Sequence, residues 1–432
     1  MLHSINFPVE HGMKRTTQYE GVEEILRLIN DPDFQSKHKK TVKDFIRNRK
    51  FGFVTVVGML LRMIKNSLQI DCNFLGDLMK IEAGTKQAFS QARAKIDAEA
   101  FQEMHESTIR THYTTAPAEG LWRGYRLIAC DGSTGRLPRS NELEAEYGLY
   151  PGKEEGVKYP VMARISEFTD MTNKLVLSGC ICSYATSEEK LAEKQLEEVT
   201  AKMRRLGQKN LLYVYDRGYP GERFIDQHIL LGVDFLFRLP KDFNKATTEI
   251  CSWADSEGFI AREGWPLLRL VKIPLSSGEV ELLLTTLTDK IYKAEDLSEV
   301  YQGRWISMEE GYKKQKITMQ LENFSGKTAT AVKQEYWATL VVANLLEMGC
   351  IGIEGCWVPG NLPEKHVNRS VLFGSMRDAT IGVIFGLISP EEYDSKFKKM
   401  AERFMLKVRP NRNYSREGVG QPKRNHVYRR SC

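Results

Sequence analysis

The sequence lacks the marks of a membrane, secreted or disulfide-stabilised protein. No apolar run reaches the roughly 18 residues that a membrane-spanning helix needs. The N-terminal residues lack the basic and apolar regions of a secretory signal. The 8 cysteines include no Cys-x-x-Cys pair, which argues against a zinc ribbon or a thiol redox motif and favours reduced cytosolic thiols. We therefore expect a globular protein with no membrane partner.

Acidic residues are nearly absent from one segment, residues 407–430. It contains one acid, Glu417, against eight basic residues, so its surplus charge exceeds the +6 of the whole chain. Such a segment has too little apolar surface to fold alone, and its charge suits a polyanion such as DNA. A tail that only aids solubility is the alternative. The eight basic residues are Lys407, Arg409, Arg412, Arg416, Lys423, Arg424, Arg429 and Arg430.

The periodicity of the apolar residues changes near residue 120. Helical spacing dominates 1–115, which we predict to be a helical N-terminal domain. Beyond it, short β-like runs separated by helical stretches predict a mixed α/β sheet flanked by helices. We divide this part into the first part of an α/β core over 116–244, a β-rich insertion over 245–300, the closing helices of that core over 301–400 and a basic tail over 401–432. The predicted strands are 126–130, 161–166, 174–181, 211–215 and 233–239, with helices over 188–206 and 221–230 and a hairpin of 267–273 and 279–286.

Two short helical patterns, 74–81 and 87–96, have the spacing of a helix–turn–helix unit. Thr85 is expected to cap the second helix by accepting a hydrogen bond from a free backbone N–H. The pair would make 1–115 a DNA-binding domain, whereas plain helix packing is the alternative. The side chains available for DNA would be those of Gln87, Ser90, Gln91 and Arg93.

Two aspartates follow apolar strands in equivalent ways. Asp131 comes directly after the strand at 126–130 and precedes Gly132, and Asp216 comes directly after the strand at 211–215. Acids at the carboxyl edge of a sheet lie where such sheets bind ligands. Two adjacent carboxylates repel each other unless a cation is present, and Mg²⁺ prefers carboxylate and phosphate oxygens. The pair predicts a metal site, although a single Asp after a strand is often only a turn or cap residue.

A third acid lies among basic and aromatic residues. Glu309 is followed at helical spacing by Lys313 and Lys316, and it is preceded by Tyr301 and Arg304. On a regular helix the glutamate and the two lysines would share one face. A surface Glu–Lys pair contributing a few tenths of a kcal/mol is the alternative.

These residues together resemble the DDE transposases of bacterial insertion sequences that carry a Tyr-(2)-Arg-(3)-Glu-(6)-Lys signature. Tyr301 and Arg304 match the first two positions, and Glu309 and Lys316 match the last two. The Asp-Gly-Ser-Thr at 131–134 and the Tyr-Asp-Arg-Gly-Tyr-Pro-Gly at 215–221 resemble the two Asp motifs in the same order. Similar residues also occur at 344–346 and 408–412, so the resemblance covers roughly residues 75–415.

The resemblance implies an RNase H-like core, in which Asp131, Asp216 and Glu309 are the catalytic residues and hold two Mg²⁺ or Mn²⁺ ions. It further implies cleavage at transposon ends, strand transfer by 3′-OH attack, and a protein that dimerises on double-stranded DNA in the bacterial cytoplasm, on the nucleoid. The alternatives are a two-metal nuclease without strand transfer and a catalytically impaired DNA-binding descendant. The DNA-binding residues would be Tyr301, Arg304, Lys313, Lys316, Arg409 and Arg412.

One spacing departs from the signature. Four residues, not three, separate Arg304 from Glu309, and Met308 stands at the position the strict spacing assigns to the acid. A thioether is a soft ligand that suits Mg²⁺ poorly. An extra residue turns a helix by about 100°. We therefore expect either a bulge that absorbs the residue or a helix that starts at Ser307, capped with Glu310 in a Ser-x-x-Glu box.

Overall fold

A computed structural model describes residues 16–47, 49–63, 65–152, 158–240, 243, 256–275 and 278–408. Its strands are β1 (Arg126–Leu137), β2 (Val161–Asp170), β3 (Leu175–Ser183), β4 (Leu211–Tyr215), β5 (Asp234–Leu239), β6 (Glu257–Ile260), β7 (Leu268–Pro274), β8 (Val280–Thr285), β9 (Lys365–Val367) and β10 (Met405–Lys407).

The helices within these ranges alternate with the strands along the core. An N-terminal group precedes β1, and the closing helices follow β8. They are α1 (Thr17–Asn30), α2 (Pro32–His38), α3 (Phe53–Leu61), α4 (Leu68–Met79), α5 (Lys86–Arg93), α6 (Glu99–Thr115), α7 (Asn141–Tyr147), α8 (Glu188–Arg205), α9 (Glu222–Leu231), α10 (Ala294–Lys313), a π-helical turn (Lys314–Thr318), α11 (Ala329–Glu354), α12 (Arg369–Ile384) and α13 (Pro390–Arg403).

Among the described residues, the central sheet has eight strands in the order β3-β2-β1-β4-β5-β8-β7-β6. β1, β2 and β3 form an antiparallel meander, whereas β4 pairs parallel with β1, and β5 pairs parallel with β4. This arrangement is the predicted RNase H-like core, a mixed sheet with flanking helices. Because β1 and β4 run in the same direction, the residues that follow their parallel pairing meet at one edge of the sheet.

The predicted hairpin is present as β7 and β8, and it enlarges the same sheet. β8 pairs antiparallel with β5, and β7 and β6 continue outward from β8. The described part of 245–300 is therefore joined to the core by strand pairing, and α10 already begins at Ala294.

The two faces of the sheet are covered by different layers. On one face, Ala129 and Val214 pack in a core with Tyr301 and Tyr336, which belong to α10 and α11. On the other face, Ile128 shares a core with residues of α8, α9 and the N-terminal helices. The helices before residue 115 thus contribute to the same hydrophobic core as the sheet.

Helix α11 is the central closing helix. It is long and apolar enough to cross a membrane by length and composition, but 89% of its most apolar window is buried inside the protein. Burial against the sheet and against α1, α3 and α6 accounts for its composition.

The N-terminal helices differ locally from the predicted ones. The apolar stretch at 53–68 is divided, because α3 ends at Leu61 and Met63 takes a left-handed φ of +66°. Residues 41–47, predicted to be helical, form turns. There the Asp44 carboxylate accepts hydrogen bonds from the backbone N–H and hydroxyl of Thr41, and Phe45 has φ +59°.

Candidate active site

Asp131 lies where β1 separates from β4. The sequence predicted that β1 ends at residue 130, but the strand continues to Leu137, paired throughout with β2. The prediction was wrong because residues 131–136 are polar or small, and antiparallel pairing rather than an apolar pattern keeps them extended. Pairing with β4, in contrast, stops at Ala129. Asp216 follows β4 directly, as predicted, so both aspartates lie at this opening.

The side chain of Arg304 lies between the two aspartates. Its Nη1 is 3.5 Å from Asp131 Oδ2 and its Nη2 is 3.8 Å from Asp216 Oδ2. The arginine side chain is 2% exposed, whereas the carboxylates are 28% and 33% exposed. Arg304 was predicted to contact the DNA backbone, but in this arrangement its guanidinium faces the acids from the protein side and offers almost no surface to DNA.

A second layer of contacts fixes Asp216. The Tyr301 hydroxyl donates a hydrogen bond to Asp216 Oδ1 at 2.7 Å, and Arg304 Nη2 lies 3.4 Å from the same hydroxyl. Arg238 Nη1 approaches Asp216 Oδ1 at 3.8 Å, while its Nε pairs with Glu281 at 3.1 Å. Tyr301, predicted to bind DNA, is therefore engaged with a catalytic candidate.

The two aspartates have different electrostatic environments. Burial raises the pKa of Asp131 to about 6, and the nearby Glu188 and Asp216 add to this, against the lowering effect of Arg304. Burial also opposes ionisation of Asp216, but the Tyr301 hydrogen bond and the charges of Arg304 and Arg238 outweigh it and hold its pKa below the usual value. A bound cation would therefore lower the pKa of Asp131 toward its usual value and stabilise its ionised form.

Helix α10 and the π-helical turn that follows it are each docked onto β1 by a further side chain. The Tyr312 hydroxyl donates to the backbone oxygen of Asp131 at 2.8 Å. Lys316 Nζ donates to Ser133 Oγ at 2.7 Å and to the backbone oxygen of Thr134 at 2.6 Å. Lys316, predicted to bind DNA, therefore contacts the strand immediately after the first aspartate, whereas Lys313 is exposed.

The third predicted acid, Glu309, is exposed on α10, and the preceding Met308 is 2% exposed in the core beneath the helix. The structure thus brings Asp131 and Asp216 together but does not bring Glu309 into a ligand cluster with them. Within the described ranges, no group of three or more His, Cys, Asp or Glu has the geometry to hold a metal ion. The metal-binding role of Glu309 stays a prediction.

The extra residue between Arg304 and Glu309 is accommodated neither by a bulge between them nor by a helix that starts at Ser307. The helix runs without a break from Ala294 to Lys313, and Ser307 donates to the Arg304 backbone oxygen instead of capping a helix start. The irregularity comes later, in the π-helical turn Lys314–Thr318. The extra residue is therefore accommodated after Glu309, not before it.

The proposed helix–turn–helix pair exists as α4 and α5. Thr85 caps α5 as predicted, because its hydroxyl accepts from Ala88 N at 3.2 Å. Arg93, however, is 4% exposed and binds Glu335 of α11 at 3.0 Å, so it cannot meet DNA as predicted. Gln87, Ser90 and Gln91 are exposed, and their DNA contacts stay predictions. Arg409 and Arg412 lie outside the described residues.

One feature near the site was missed from sequence. A Cβ at Gly132 would lie 2.2 Å from Glu188 Cδ, so a larger residue there would require the Glu188 side chain to move. Arg164 Nη1 pairs with Glu188 at 2.6 Å. The glycine after Asp131 was the available signal, but it did not reveal its partner on α8.

Comparison with known families decides the class of the protein. A sequence profile described as "Transposase DDE domain" matches residues 122–345, which is more than half of the 432 residues. The chain belongs to this family. It is a DNA transposase, and the family's chemistry is metal-dependent phosphoryl transfer on DNA. The match includes β1 with Asp131, β4 followed by Asp216, and all of α10.

Solved structures give weaker likenesses to this transposase. The piggyBac transposase synaptic complex with hairpin DNA is 10% identical with a TM-score of 0.44, covering 88% of this chain and 82% of that one. The Mos1 transposase paired-end complex with left transposon end is 10% identical with a TM-score of 0.18, covering 47% and 64%. The Mos1 mariner paired-end complex with Mn is 10% identical with a TM-score of 0.19, covering 50% and 66%. A search of the curated proteins finds no significant match.

Proposed function

We propose that this transposase cleaves DNA at transposon ends and joins the freed ends to target DNA by 3′-OH attack. The observation that carries the proposal is the pair of partly exposed carboxylates, Asp131 and Asp216, at the open edge between two parallel strands. We further assign it to the insertion-sequence subgroup with the Tyr-Arg-Glu-Lys signature, acting as a dimer on DNA in the bacterial cytoplasm.

The donor set fits a hard divalent ion. Mg²⁺ is commonly held by one or two carboxylates together with substrate phosphate oxygens and water. Asp131 and Asp216 supply two such carboxylates, and each retains an exposed portion from which an ion could be bound. The Arg304 guanidinium lies close to both carboxylates on the protein side, at more than hydrogen-bonding distance from each, and Arg238 lies 3.8 Å from Asp216.

Glu309 is the best candidate for a third carboxylate. It lies about 80° from Tyr301 and about 60° from Tyr312 around the axis of α10, and the hydroxyls of these tyrosines contact Asp216 and Asp131. The neighbouring Glu310 points elsewhere, since its carboxylate lies 3.9 Å from Lys174 beyond β2. On this geometry Glu309 lies at the flank of the helix face that carries Tyr301 and Tyr312, and Glu310 lies on the opposite side.

The side chains around the site would position the carboxylates that hold the metal ions and would offset part of their negative charge. Bound divalent ions would polarise the scissile phosphate and stabilise the attacking and leaving oxygens. Tyr301 orients Asp216 through its hydrogen bond, and Arg304 keeps the two carboxylates together against their repulsion. Water would displace the 3′ oxygen at the transposon end, and that 3′-OH would then displace a 3′ oxygen of the target in a second in-line transfer. Neither step needs a covalent protein–DNA intermediate.

The test is a cleavage and strand-transfer assay on the matching transposon ends with Mg²⁺ or Mn²⁺. Asp131→Asn, Asp216→Asn and Glu309→Gln should each lower both reactions at least a hundredfold, because each removes one charged oxygen ligand. Glu310→Gln is the matched control, one residue away with the same change of charge, and should keep near wild-type rates.

Three outcomes would contradict parts of the proposal. Equal loss in the two glutamate variants would reject Glu309 as a ligand. Cleavage without joining would make the protein a nuclease. Binding of end DNA without metal-dependent cleavage, in the wild-type protein, would make it an impaired descendant that acts by DNA binding alone.

A further inference from the structure

A small polar cavity lies between α10 and the hairpin formed by β2 and β3, and α11 and α12 each contribute one lining residue. Its volume is about 60 Å³. A single water needs only about 10–15 Å³ of such space, so the cavity has room for an ion of several atoms. Along α10 the space is open, because a Cβ at Gly311 would meet no atom within 4 Å.

Lys174, in the turn between β2 and β3, brings a buried ammonium group to this cavity. Its side chain is 11% exposed, and its Nζ lies 3.4 Å from the centre of the Trp357 ring and 3.9 Å from Glu310. No described residue accepts a hydrogen bond from this nitrogen, so its three N–H groups are available. Burial lowers the pKa of Lys174 to about 8, so the group is still mostly charged at neutral pH. A buried ammonium in this state requires acceptors.

The other cations around the cavity are already balanced by acids. Glu347 binds Lys314 at 2.7 Å and Arg369 at 2.7 Å, and Arg369 also pairs with Glu354. These two acids offset these two cations. Lys174 has only the carboxylate on α10, which is 62% exposed and screened by solvent. The cavity therefore favours one additional negative charge.

A buried acceptor at the same cavity also needs a donor. Gln315 is 1% exposed, and its Nε2 donates to Glu167 Oε2 at 2.9 Å. Its Oε1 is buried and has no hydrogen-bond partner among the described residues. Burial raises the pKa of Glu167 to about 7, so this lining acid adds less than a full negative charge. A ligand that suits the cavity must donate to the Gln315 oxygen and accept from Lys174.

We propose that the cavity binds a small oxyanion that keeps a proton, of the class of hydrogen phosphate. Its oxygens would accept from Lys174 and from the remaining N–H groups of Lys314, and its hydroxyl would donate to Gln315 Oε1. A DNA phosphodiester, a sulfate and an ionised carboxylate lack that proton. The proposal does not depend on the proposed function, because the site is separate from Asp131 and Asp216 and takes part in neither transfer step.

An ion bound in this way would connect two segments of the protein. Lys174 belongs to the β2–β3 turn, whereas Lys314 and Gln315 belong to the π-helical turn. A ligand that binds the folded protein stabilises it. Phosphate should therefore raise the melting temperature, and sulfate should raise it less.

The experiment is calorimetric titration of the full chain with inorganic phosphate, at neutral pH and with a chelator present. Sulfate at the same ionic strength is the control ion. The wild type should bind one phosphate per chain, at least about tenfold more tightly than sulfate. Sulfate would place one oxygen against the Gln315 oxygen with no proton between them, and a buried acceptor without a donor is costly.

Three variants locate the ion. Lys174→Met keeps a side chain over Trp357 but removes the ammonium, so it should weaken phosphate binding at least about tenfold. Glu310→Gln removes the competing negative charge and should tighten binding about two- to fivefold. Lys396→Met makes the first substitution at an exposed lysine on α13 and should keep the wild-type affinity.

No saturable phosphate binding by the wild type would overturn the proposal and assign the cavity to water. Equal affinities for phosphate and sulfate would reject the proton and with it the ligand class. Unchanged affinity in Lys174→Met, or an equal loss in Lys396→Met, would place the ion elsewhere on the surface. If Lys174→Met does not fold, Glu310→Gln decides, since an affinity no tighter than that of the wild type would reject the site. A protein that binds phosphate but never cleaves DNA would contradict the proposed function and leave this site supported.

Discussion

Replacing Arg304 with glutamine should make the protein less stable without metal and more responsive to metal. The guanidinium lies 3.5 Å and 3.8 Å from the two carboxylates. At an effective dielectric constant near 20, each such contact is worth about 4–5 kcal/mol of Coulomb attraction. Desolvation of the buried cation offsets much of this gain, so the net contribution is far smaller than the sum.

The exposure of Asp131 and Asp216 limits how much the Arg304→Gln substitution can lower the free energy of unfolding. Removing one member of a fully buried ion pair costs about 3–5 kcal/mol. Asp131 and Asp216 are 28% and 33% exposed, and solvent screens them in part, so about 2–3 kcal/mol is expected. That loss should lower the melting temperature by roughly 2–3 °C in the presence of a chelator, for a chain of 432 residues.

Metal ions should then restore more stability to the variant than they add to the wild type. Without the arginine, the aspartates repel each other more strongly, and a divalent ion relieves a larger repulsion. The assay is thermal unfolding of both proteins with chelator and with Mn²⁺. Arg238→Gln is the control, because Arg238 is 3.8 Å from Asp216 but 25% exposed and also paired with Glu281. Its effect should be smaller.

An equal Mn²⁺ shift in the wild-type and Arg304→Gln proteins would refute this reasoning. Such a result would show that Arg304 neither offsets the negative charge of Asp131 and Asp216 nor weakens the binding of a metal ion beside them. Arg304→Lys should give an intermediate shift, because it keeps the charge but loses the planar group that reaches both acids.

Two further substitutions test the surroundings of the site. Gly132→Ala should destabilise the protein by about 1 kcal/mol or less, since its Cβ would lie 2.2 Å from Glu188 Cδ and would displace this side chain from Arg164; Glu188→Ala should abolish the effect, and an additive double variant would contradict the contact. Glu347→Gln should cost about 1.5–3 kcal/mol at neutral pH, because it removes the charge that pairs with Arg369 at 2.7 Å and with Lys314 at 2.7 Å, while Arg369 keeps its second partner, Glu354. Burial would raise the pKa of Glu347, but the charges of Arg369 and Lys314 outweigh it and hold this pKa well below its usual range. Its stabilising effect is therefore present above about pH 4.3 and lost on acidification, so the difference in melting temperature should shrink at low pH, and a constant difference would be evidence against the charge network.

The sequence predicted those parts of the site that depend on local pattern. An apolar strand followed by Asp is visible at 126–131 and at 211–216, and the parallel order of the two strands places both acids at one edge. The cap at Thr85 and the hairpin of β7 and β8 were also predictable, because turn and cap chemistry act over a few residues.

The parts that were not predictable depend on contacts across the chain. Arg304 is a surface-type residue by composition, and its burial results from α10 crossing the sheet between residues 131 and 216. Arg93 is buried by partners about 240 positions away, at Gln334 and Glu335. The family resemblance implied DNA contact for Arg304, and the helix–turn–helix spacing suggested it for Arg93, whereas long-range ion pairing buries both side chains.

The π-helical turn at Lys314–Thr318 separates two regions that a regular helix would couple. Each residue of an α-helix turns the chain by about 100°, so one added residue rotates all the following side chains by that angle relative to the sheet. A π turn contains one residue more than an α turn and cancels that rotation. An extra residue in α10 can therefore be absorbed at this turn, so that the segment leading to α11 keeps its packing in the core.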